Sequence, residues 1–445
     1  MRKFGNWLID DRNTPKILIG IVTLSVLLRI GAALFLGNKI DELPGVSDQI
    51  SYHTLGIRLS QGFGFTFDRP WWPATQAGEP TAHWSYLYSY FVAAVYWVFG
   101  PHPLMVRLLQ ALTIGVLQPL LIFNIGKLTF NSLVGLLAAG ITSIYIYFIY
   151  YAATLMTEPF YITGILLILL ISIWVAGNFE KIMENPRKSL FFAIMLGVST
   201  SLTILLRQVF LLFLPFLYLW LIIVSRKKYL SSTIKLIAIN ILIIFLFILP
   251  FTIYNYERFG QFVLLNTNAG FAFYWANHPI YGTHFEGILT KSTYLDLLPK
   301  ELFGLNEAAL DSELFKRGLQ FVIQDPLRYL LLSISRIPVY FMFWPSSQSS
   351  LLSNISRVGS FGVFLPLMLY GSITTLLGKG KNKVNIFSPV FLLFLFIVVY
   401  SLIHIFTWTL VRYRLPVDAV LVLFAAAGIS KIIQKFQNNK VAHNS

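Results

Sequence analysis

The chain has no cysteine, which excludes disulfides and thiolate metal sites from all 445 residues. Charge is scarce as well: Asp, Glu, Lys and Arg make up 12% of the sequence, where a soluble domain carries about 25%. Low-complexity tracts are absent, and no internal repeat is strong enough to suggest the inverted halves of a secondary transporter. The short alternating segments of an outer-membrane barrel are missing too. What fills the chain instead is apolar: 56% of the residues are hydrophobic, and the mean hydropathy is +0.69.

This composition is that of an all-α polytopic membrane protein, because several apolar runs approach the ~20 residues a helix needs to cross the hydrocarbon. The net charge of +15 is scattered over short loops instead of forming one face, so it argues against a nucleic-acid partner and reads as a topology signal. Spans are expected at 17–36, 104–125, 133–150, 159–177, 190–206, 208–225, 235–252, 358–377, 386–406 and 415–432. That is about ten crossings, within a range of roughly 9 to 13. With ten, Arg2, Lys3, Arg12 and Lys16 put the N-terminus in the cytoplasm. The groups Lys127, Lys181/Arg187/Lys188, Arg226/Lys227/Lys228, Lys379/Lys381/Lys383 and Lys431/Lys435/Lys440 then face the same side, as the positive-inside rule requires. The first run is long and lacks a small-residue cleavage site, so it is not expected to be a cleavable signal peptide.

Two further apolar runs, His83–Gly100 and Arg328–Trp344, are expected to lie in or re-enter the outer interface. The first is crowded with Trp84, Tyr86, Tyr88, Tyr90, Tyr96 and Trp97, residue types that favour the headgroup zone. This topology leaves only Asp10, Asp11, Glu180 and Glu184 of the 19 acids inside, so the working face is extracytoplasmic. The chain divides into a transmembrane module at 1–252 with a first outer loop at about 37–103, a large outer loop at 253–357, and C-terminal spans with a cytoplasmic tail at 358–445. The large loop holds a candidate amphipathic helix, Ala308–Ile323, ending at Asp325-Pro326.

Candidate chemistry lies on that outer face. Tyr52, Leu55 and Leu59 have the spacing of a short surface helix with Asp48 near its N-terminus, where the helix dipole favours a carboxylate. Asp48 with Ser47 could equally be a helix cap. Glu158 stands beside Pro159 at the outer start of a span, and there the acid and first-turn readings balance. Arg207, Arg412 and Arg414 are arginines at outer helix ends, against the positive-inside trend, and so call for anionic partners. The Arg412-Tyr413-Arg414 group suits a phosphate, because guanidinium binds phosphate oxygens in pairs; Arg414 and Asp418, four apart, can pair instead. Tyr274-Trp275-Ala276-Asn277-His278 combines aromatic faces and amides of the kind that grip sugars. His83 and His278 could join Asp48 or Glu158 on a divalent metal, although their spacing is no metal signature.

In their order these pieces resemble the integral-membrane glycosyltransferases of the GT-C superfamily, specifically relatives of protein O-mannosyltransferases and lipid A aminoarabinose transferase. The stretches that carry the resemblance are Asp48-x-x-x-Tyr52 through Gly62-Phe63-Gly64-Phe65, Thr81-Ala82, Leu87-Tyr88, Arg107-Leu108-Leu109-Gln110, Thr157-Glu158, Leu205-Leu206-Arg207, Leu249-Pro250 to Asn255, Ala276-Asn277-His278-Pro279 and Arg412-Tyr413-Arg414-Leu415-Pro416. The resemblance implies a GT-C fold with Asp48 as catalytic acid of the first loop and Glu158 as that of the second. It implies a polyprenyl-phosphate sugar as donor, inversion at the anomeric carbon, and a lipid, glycan or protein acceptor outside the cytoplasmic membrane. Arg207, Arg412 and Arg414 would hold the donor phosphate, and Tyr52, His83, Tyr88, Asn277, His278 and Tyr413 would contact substrate. No cofactor is certain, and a divalent metal is possible. Two departures stand out: many relatives have an Asp-Glu pair in the first loop, where this chain has Asp48-Gln49, and His83-Trp84 replaces the Glu-Lys of the aminoarabinose transferases. The expected activity is that of a hexosyl- or pentosyltransferase. A transporter of lipid-linked sugars would need ionisable groups at mid-membrane, where Arg29 alone comes close; an O-antigen polymerase or ligase would share the lipid substrate but not the Asp48 and Glu158 pattern.

Overall fold

Proline and asparagine set many of the helix starts. In the computed structural model, which describes residues 13–43, 48–285, 287, 289–347, 349–378 and 384–442, a proline occupies the first turn of the helices that begin at Pro103, Glu158, Pro186, Pro326 and Pro389. Its fixed φ suits that turn, and its missing N–H would have had no partner there. Asn131, Asn185 and Asn306 cap other starts by accepting backbone N–H bonds. Arg2, Lys3, Arg12, Ser47 and the Lys379/Lys381/Lys383 group fall outside the described residues.

The spans and surface helices follow in order: α1 (Thr14–Leu36), α2 (Asp48–Ser60), α3 (Tyr86–Phe99), α4 (Pro103–Thr129), α5 (Ser132–Ile144), α6 (Ile146–Ala152), α7 (Glu158–Gly177), α8 (Pro186–Leu206), α9 (Leu214–Val224) and α10 (Arg226–Phe259). The outer loop then forms α11 (Ala269–Asn277), α12 (Glu307–Gln324) and α13 (Pro326–Tyr340). It leads to α14 (Leu351–Leu376), α15 (Pro389–Phe406) and α16 (Leu415–Ala442). Among the described residues eight helices are long and apolar enough to cross a membrane, nine if the bent pair α5–α6 counts as one span. The expected span at 208–225 is a shorter apolar helix, Gln208–Val224, which opens as a 3-10 turn. Every expected apolar segment is helical, and the two runs set aside as interfacial form α3 and α13.

The last helix is the centre of the bundle. In the span Val411–Gln437, 72% of the most apolar window is buried, so the apolar part of α16 is packed largely against protein. Its close approach to α14 depends on Gly371, where a Cβ would lie 1.7 Å from the Phe424 carbonyl oxygen; a hydrogen in that place lets two membrane helices touch backbone to backbone.

Arg29, the one charge near mid-membrane, is explained by a helix break. The chain bends by 56° between α5 and α6, which leaves the last α5 carbonyls without their usual donors. Arg29 supplies these, with Nη2 donating to the Thr142 carbonyl at 3.1 Å and Nη1 to the Ser143 carbonyl at 3.3 Å. Ser25 Oγ and Gln118 Oε1 accept its other bonds. The residue expected of a transporter is thus a backbone cap.

The loops expected at 37–103 and 253–357 pack on each other at one end of the bundle. Glu307 on α12 is buried and accepts from Thr75 Oγ1 at 2.6 Å and Ala82 N at 2.8 Å in the first loop, and from Thr267 Oγ1 in the second. Trp72 stacks on Trp275 with ring centres 5.1 Å apart, and Asn266 donates to the Ala82 and Trp84 carbonyls. The expected amphipathic helix is α12. On it Asp311 caps α11 by accepting from Gly270 N at 2.8 Å and Phe271 N at 3.1 Å.

Burial pushes the Asp311 carboxyl up to about 7, against the lowering effect of those two bonds. Its folded value lies above the unfolded value of about 3.9, so the folded state holds the proton longer. The stability this contributes is complete in acid and is lost as pH rises from about 4 through 7. Asp311→Asn keeps the acceptor oxygen and removes the titration; thermal unfolding between pH 4 and 8 should become flatter in this variant, and an unchanged slope would contradict the assignment.

Candidate active site

Four charged side chains from distant parts of the sequence meet at one end of the helical bundle. Asp48 is the first residue of α2 and Glu158 the first of α7, so each carboxylate sits where the helix dipole is positive. Arg207 ends α8, where a cation is favoured by the same dipole. Arg412 stands in the 3-10 turn Val411–Arg414 that feeds α16.

The charges alternate. Arg412 Nη2 lies 2.7 Å from Asp48 Oδ2, Arg412 Nε lies 3.7 Å from Glu158 Oε1, and Arg207 Nη2 lies 2.6 Å from that same oxygen. Arg207 also donates through Nε to Thr157 Oγ1 at 2.8 Å. The two acids differ in exposure, 24% for the Asp48 side chain against 1% for Glu158, while Arg412 and Arg207 are 13% and 18% exposed. Asp48 is thus the acid that a substrate can reach, while Glu158 is a buried anchor for two guanidiniums. Tyr413 backs both, its ring 5.2 Å from the Arg207 Cζ and 5.5 Å from that of Arg412.

A second set of contacts holds the two acids in place. Tyr52, one turn after Asp48, is buried edge-on against Trp84 and Tyr88 at 5.7 and 4.8 Å. Tyr88 donates its hydroxyl to Gln110 Oε1 at 2.9 Å, and Gln110 Nε2 donates to the carbonyls of Ala152 and Thr154 at 2.9 and 2.8 Å, in the turn before Glu158. Gln49, next to Asp48, is fully buried. Its amide nitrogen donates to the Asp41 carbonyl at 2.5 Å, and its oxygen accepts from Arg107 Nη2 at 3.3 Å. Arg107 also donates to the carbonyls of Leu36, Gly37 and Lys39, so it straps the end of α1 to the start of α2.

The structure therefore brings Asp48, Glu158, Arg207, Arg412, Tyr413 and Tyr52 together and sets other expected contacts apart. Arg414 is fully buried, with Nε on Asp418 Oδ1 at 2.8 Å and Nη1 on the Tyr340 and Met342 carbonyls. Tyr145 donates to the other Asp418 oxygen at 2.9 Å. This is the pairing that the four-residue spacing allowed, and it closes Arg414 to a phosphate. Tyr88 is buried against Tyr52 with its hydroxyl on Gln110. Asn277 is buried with its Oδ1 held by Arg336 at 3.0 Å, and His278 caps the turn Pro279–Tyr281 with Nδ1 accepting from Ile280 N at 3.2 Å. His83 hydrogen-bonds the Thr267 carbonyl through Nδ1 at 3.2 Å, and burial holds its pKa below the usual histidine value. Among the described residues no three of His, Asp and Glu come together as a metal site requires. Gln49, Arg107 and Gln110 were not expected as site residues; the signals for them were an outer arginine on α4 and a glutamine where relatives carry an acid.

Residues 80–266 match the family model of the dolichyl-phosphate-mannose-protein mannosyltransferases. The architecture matches the oligosaccharyltransferase of Archaeoglobus fulgidus in its apo form, with a TM-score of 0.60 at 14% identity over 98% of this chain and 52% of that one. The fold is GT-C. A second structure of that archaeal GT-C enzyme, AglB with an inhibitory peptide and a dolichol-phosphate, superposes with a TM-score of 0.55 at 13% identity, over 97% of this chain and 51% of that one. The chain thus spans about half the length of the archaeal enzyme. ArnT from Cupriavidus metallidurans covers 92% of this chain and 77% of its own at 13% identity, with a TM-score of 0.42, too low to carry an argument. No curated protein matches the chain. Of the two acids, Glu158 lies within the stretch the family model matches and Asp48 precedes it.

The buried half of the series has a measurable signature. Arg207→Met leaves Glu158 short of its nearest cation and should lower unfolding stability by roughly 3 kcal/mol. Adding Glu158→Gln should recover part of the loss, with a coupling energy of about 1–3 kcal/mol in a double-mutant cycle. Strictly additive effects in detergent-solubilised protein would contradict the pairing.

Proposed function

We propose that the protein is an integral-membrane glycosyltransferase that moves a sugar from a polyprenyl-phosphate donor to an acceptor hydroxyl outside the cytoplasmic membrane. The observation that carries this reading is a reachable carboxylate, Asp48, held 2.7 Å from a guanidinium, Arg412, at the outer rim of a helical bundle. A base and a phosphate-binding cation side by side are what the transfer requires. The family match over 80–266 and the GT-C fold support the same chemistry.

In the proposed step Asp48 takes the proton of the acceptor hydroxyl while the acceptor oxygen attacks the sugar C1 from the face opposite the phosphate. The C1–O bond to phosphate breaks, its electron pair leaves with the polyprenyl phosphate, and the configuration inverts. Base catalysis of this kind contributes ~10²–10⁴-fold. The leaving phosphate needs no proton if Arg412, with Arg207 behind it, takes up the developing charge. Donor binding turns the Arg412 fork from Asp48 toward the phosphate and frees the carboxylate to act. Tyr52 and Tyr413 flank the reacting groups, and apolar helix faces below them accept the lipid tail. Both termini are cytoplasmic, as the charge asymmetry of the loops supports.

Asp48→Asn preserves the hydrogen bond to Arg412 and removes the base. Transfer from a polyprenyl-phosphate sugar should fall by ~10²–10⁴-fold in a variant that still folds. Near-normal turnover of the folded variant would rule out Asp48 as base.

A further inference from the structure

A divalent cation between two acids is one way for a GT-C site to hold a donor phosphate, and the oligosaccharyltransferase of Archaeoglobus fulgidus has also been solved in complex with Zn and sulfate. The residues of this chain do not fit such an ion. Divalent ions bound through oxygen take about six ligands, and zinc four, whereas two acids are what this site offers. Asp48 Oδ2 is engaged by Arg412 at 2.7 Å and Glu158 Oε1 by Arg207 at 2.6 Å. Two further oxygens close by are also engaged: Thr157 Oγ1 accepts from Arg207 Nε at 2.8 Å, and the Gln49 amide oxygen accepts from Arg107 and is buried. His83, the nearest histidine in the first loop, bonds the Thr267 carbonyl through Nδ1.

Charge points the same way. Asp48 and Glu158 carry two negative charges, and Arg207 and Arg412 two positive ones, so the cluster is neutral. In the donor-free site, a doubly charged ion added beside the buried Glu158 would have no compensating anion. A guanidinium also stays protonated at any working pH, so titration does not clear it from the site.

We infer that Arg412 takes the place of the divalent cation between the two acids, and that this centre holds its donor phosphate without a metal. The inference rests on Asp48 and Glu158 being the working acids, but it concerns ion binding and can be read without turnover. It is also consistent with Gln49, whose amide donates to the Asp41 carbonyl and accepts from Arg107, two bonds that a carboxylate could not both make.

Mn²⁺ binding to the detergent-solubilised full chain, followed by loss of the free-ion paramagnetic resonance signal, tests this directly. The wild type should show no Mn²⁺ site that Asp48→Asn abolishes, and its unfolding temperature should be the same in Mn²⁺ and in EDTA. Arg412→Gln exposes the two carboxylates to each other and should bind Mn²⁺ about tenfold or more tightly than the wild type, a gain lost again in Arg412→Gln/Asp48→Asn. An Mn²⁺ site in the wild type that depends on Asp48 overturns the inference, even if the glutamine variant does not fold. So does a folded Arg412→Gln protein that is as indifferent to Mn²⁺ as the wild type. Loss of transfer activity in any of these proteins bears on the proposed reaction and leaves the ion result readable.

Discussion

The site depends on the alternation of Asp48, Arg412, Glu158 and Arg207, held at the ends of α2, α7 and α8 and in the turn before α16. Each of these charges alone would be costly at the edge of a membrane. Together they are neutral, and three of them stand at the helix end whose dipole suits them. The cluster also fixes geometry, because segments separated by hundreds of residues must arrive in register for a 2.6 Å and a 2.7 Å contact to form at once. Removing one partner leaves the others buried and uncompensated, which is more destabilising than never having had the pair.

Around that cluster the remaining buried arginines act as clips for backbone carbonyls. Arg29 caps the break between α5 and α6, Arg107 straps the chain leaving α1, and Arg336 holds the Ala276 and Ile405 carbonyls beneath the outer layer. A membrane protein with irregular backbone at its outer rim must find donors for those carbonyls where water is scarce, and arginine offers five N–H groups in one planar fork. The same residue type thus serves two ends in this chain: structural where the fork meets carbonyls, and chemical where it meets reachable carboxylate.

Much of this was legible in the sequence. Apolar run length located the helices, since hydrocarbon thickness leaves little choice of element, and the short helix with Asp48 at its start followed from the spacing of Tyr52, Leu55 and Leu59. The position of Glu158 beside Pro159 placed it in a first turn. What could not be read was direction. Arg412 and Arg414 look equivalent in sequence, yet residues two apart in a 3-10 turn point to different sides. One meets Asp48 at the opening, and the other is sealed against Asp418 and Tyr145. Asn277 and His278 have sugar-binding chemistry but are drawn into the layer by Arg336 and by their own turn. Gln49 looked like a lost catalytic acid, and only the position of Arg107 shows what it holds.

The central claim is that this GT-C chain transfers a sugar from a lipid-phosphate donor with Asp48 as base. Mass spectrometry of envelope glycans and of lipid-linked sugars in a deletion strain tests it most directly. The account predicts one glycan lacking a single sugar and a matching polyprenyl-phosphate sugar that accumulates, both restored by the wild-type gene and not by one carrying Asp48→Asn. Unaltered glycans and lipid-linked pools in the deletion strain, or full restoration by the Asp48→Asn gene, would contradict it.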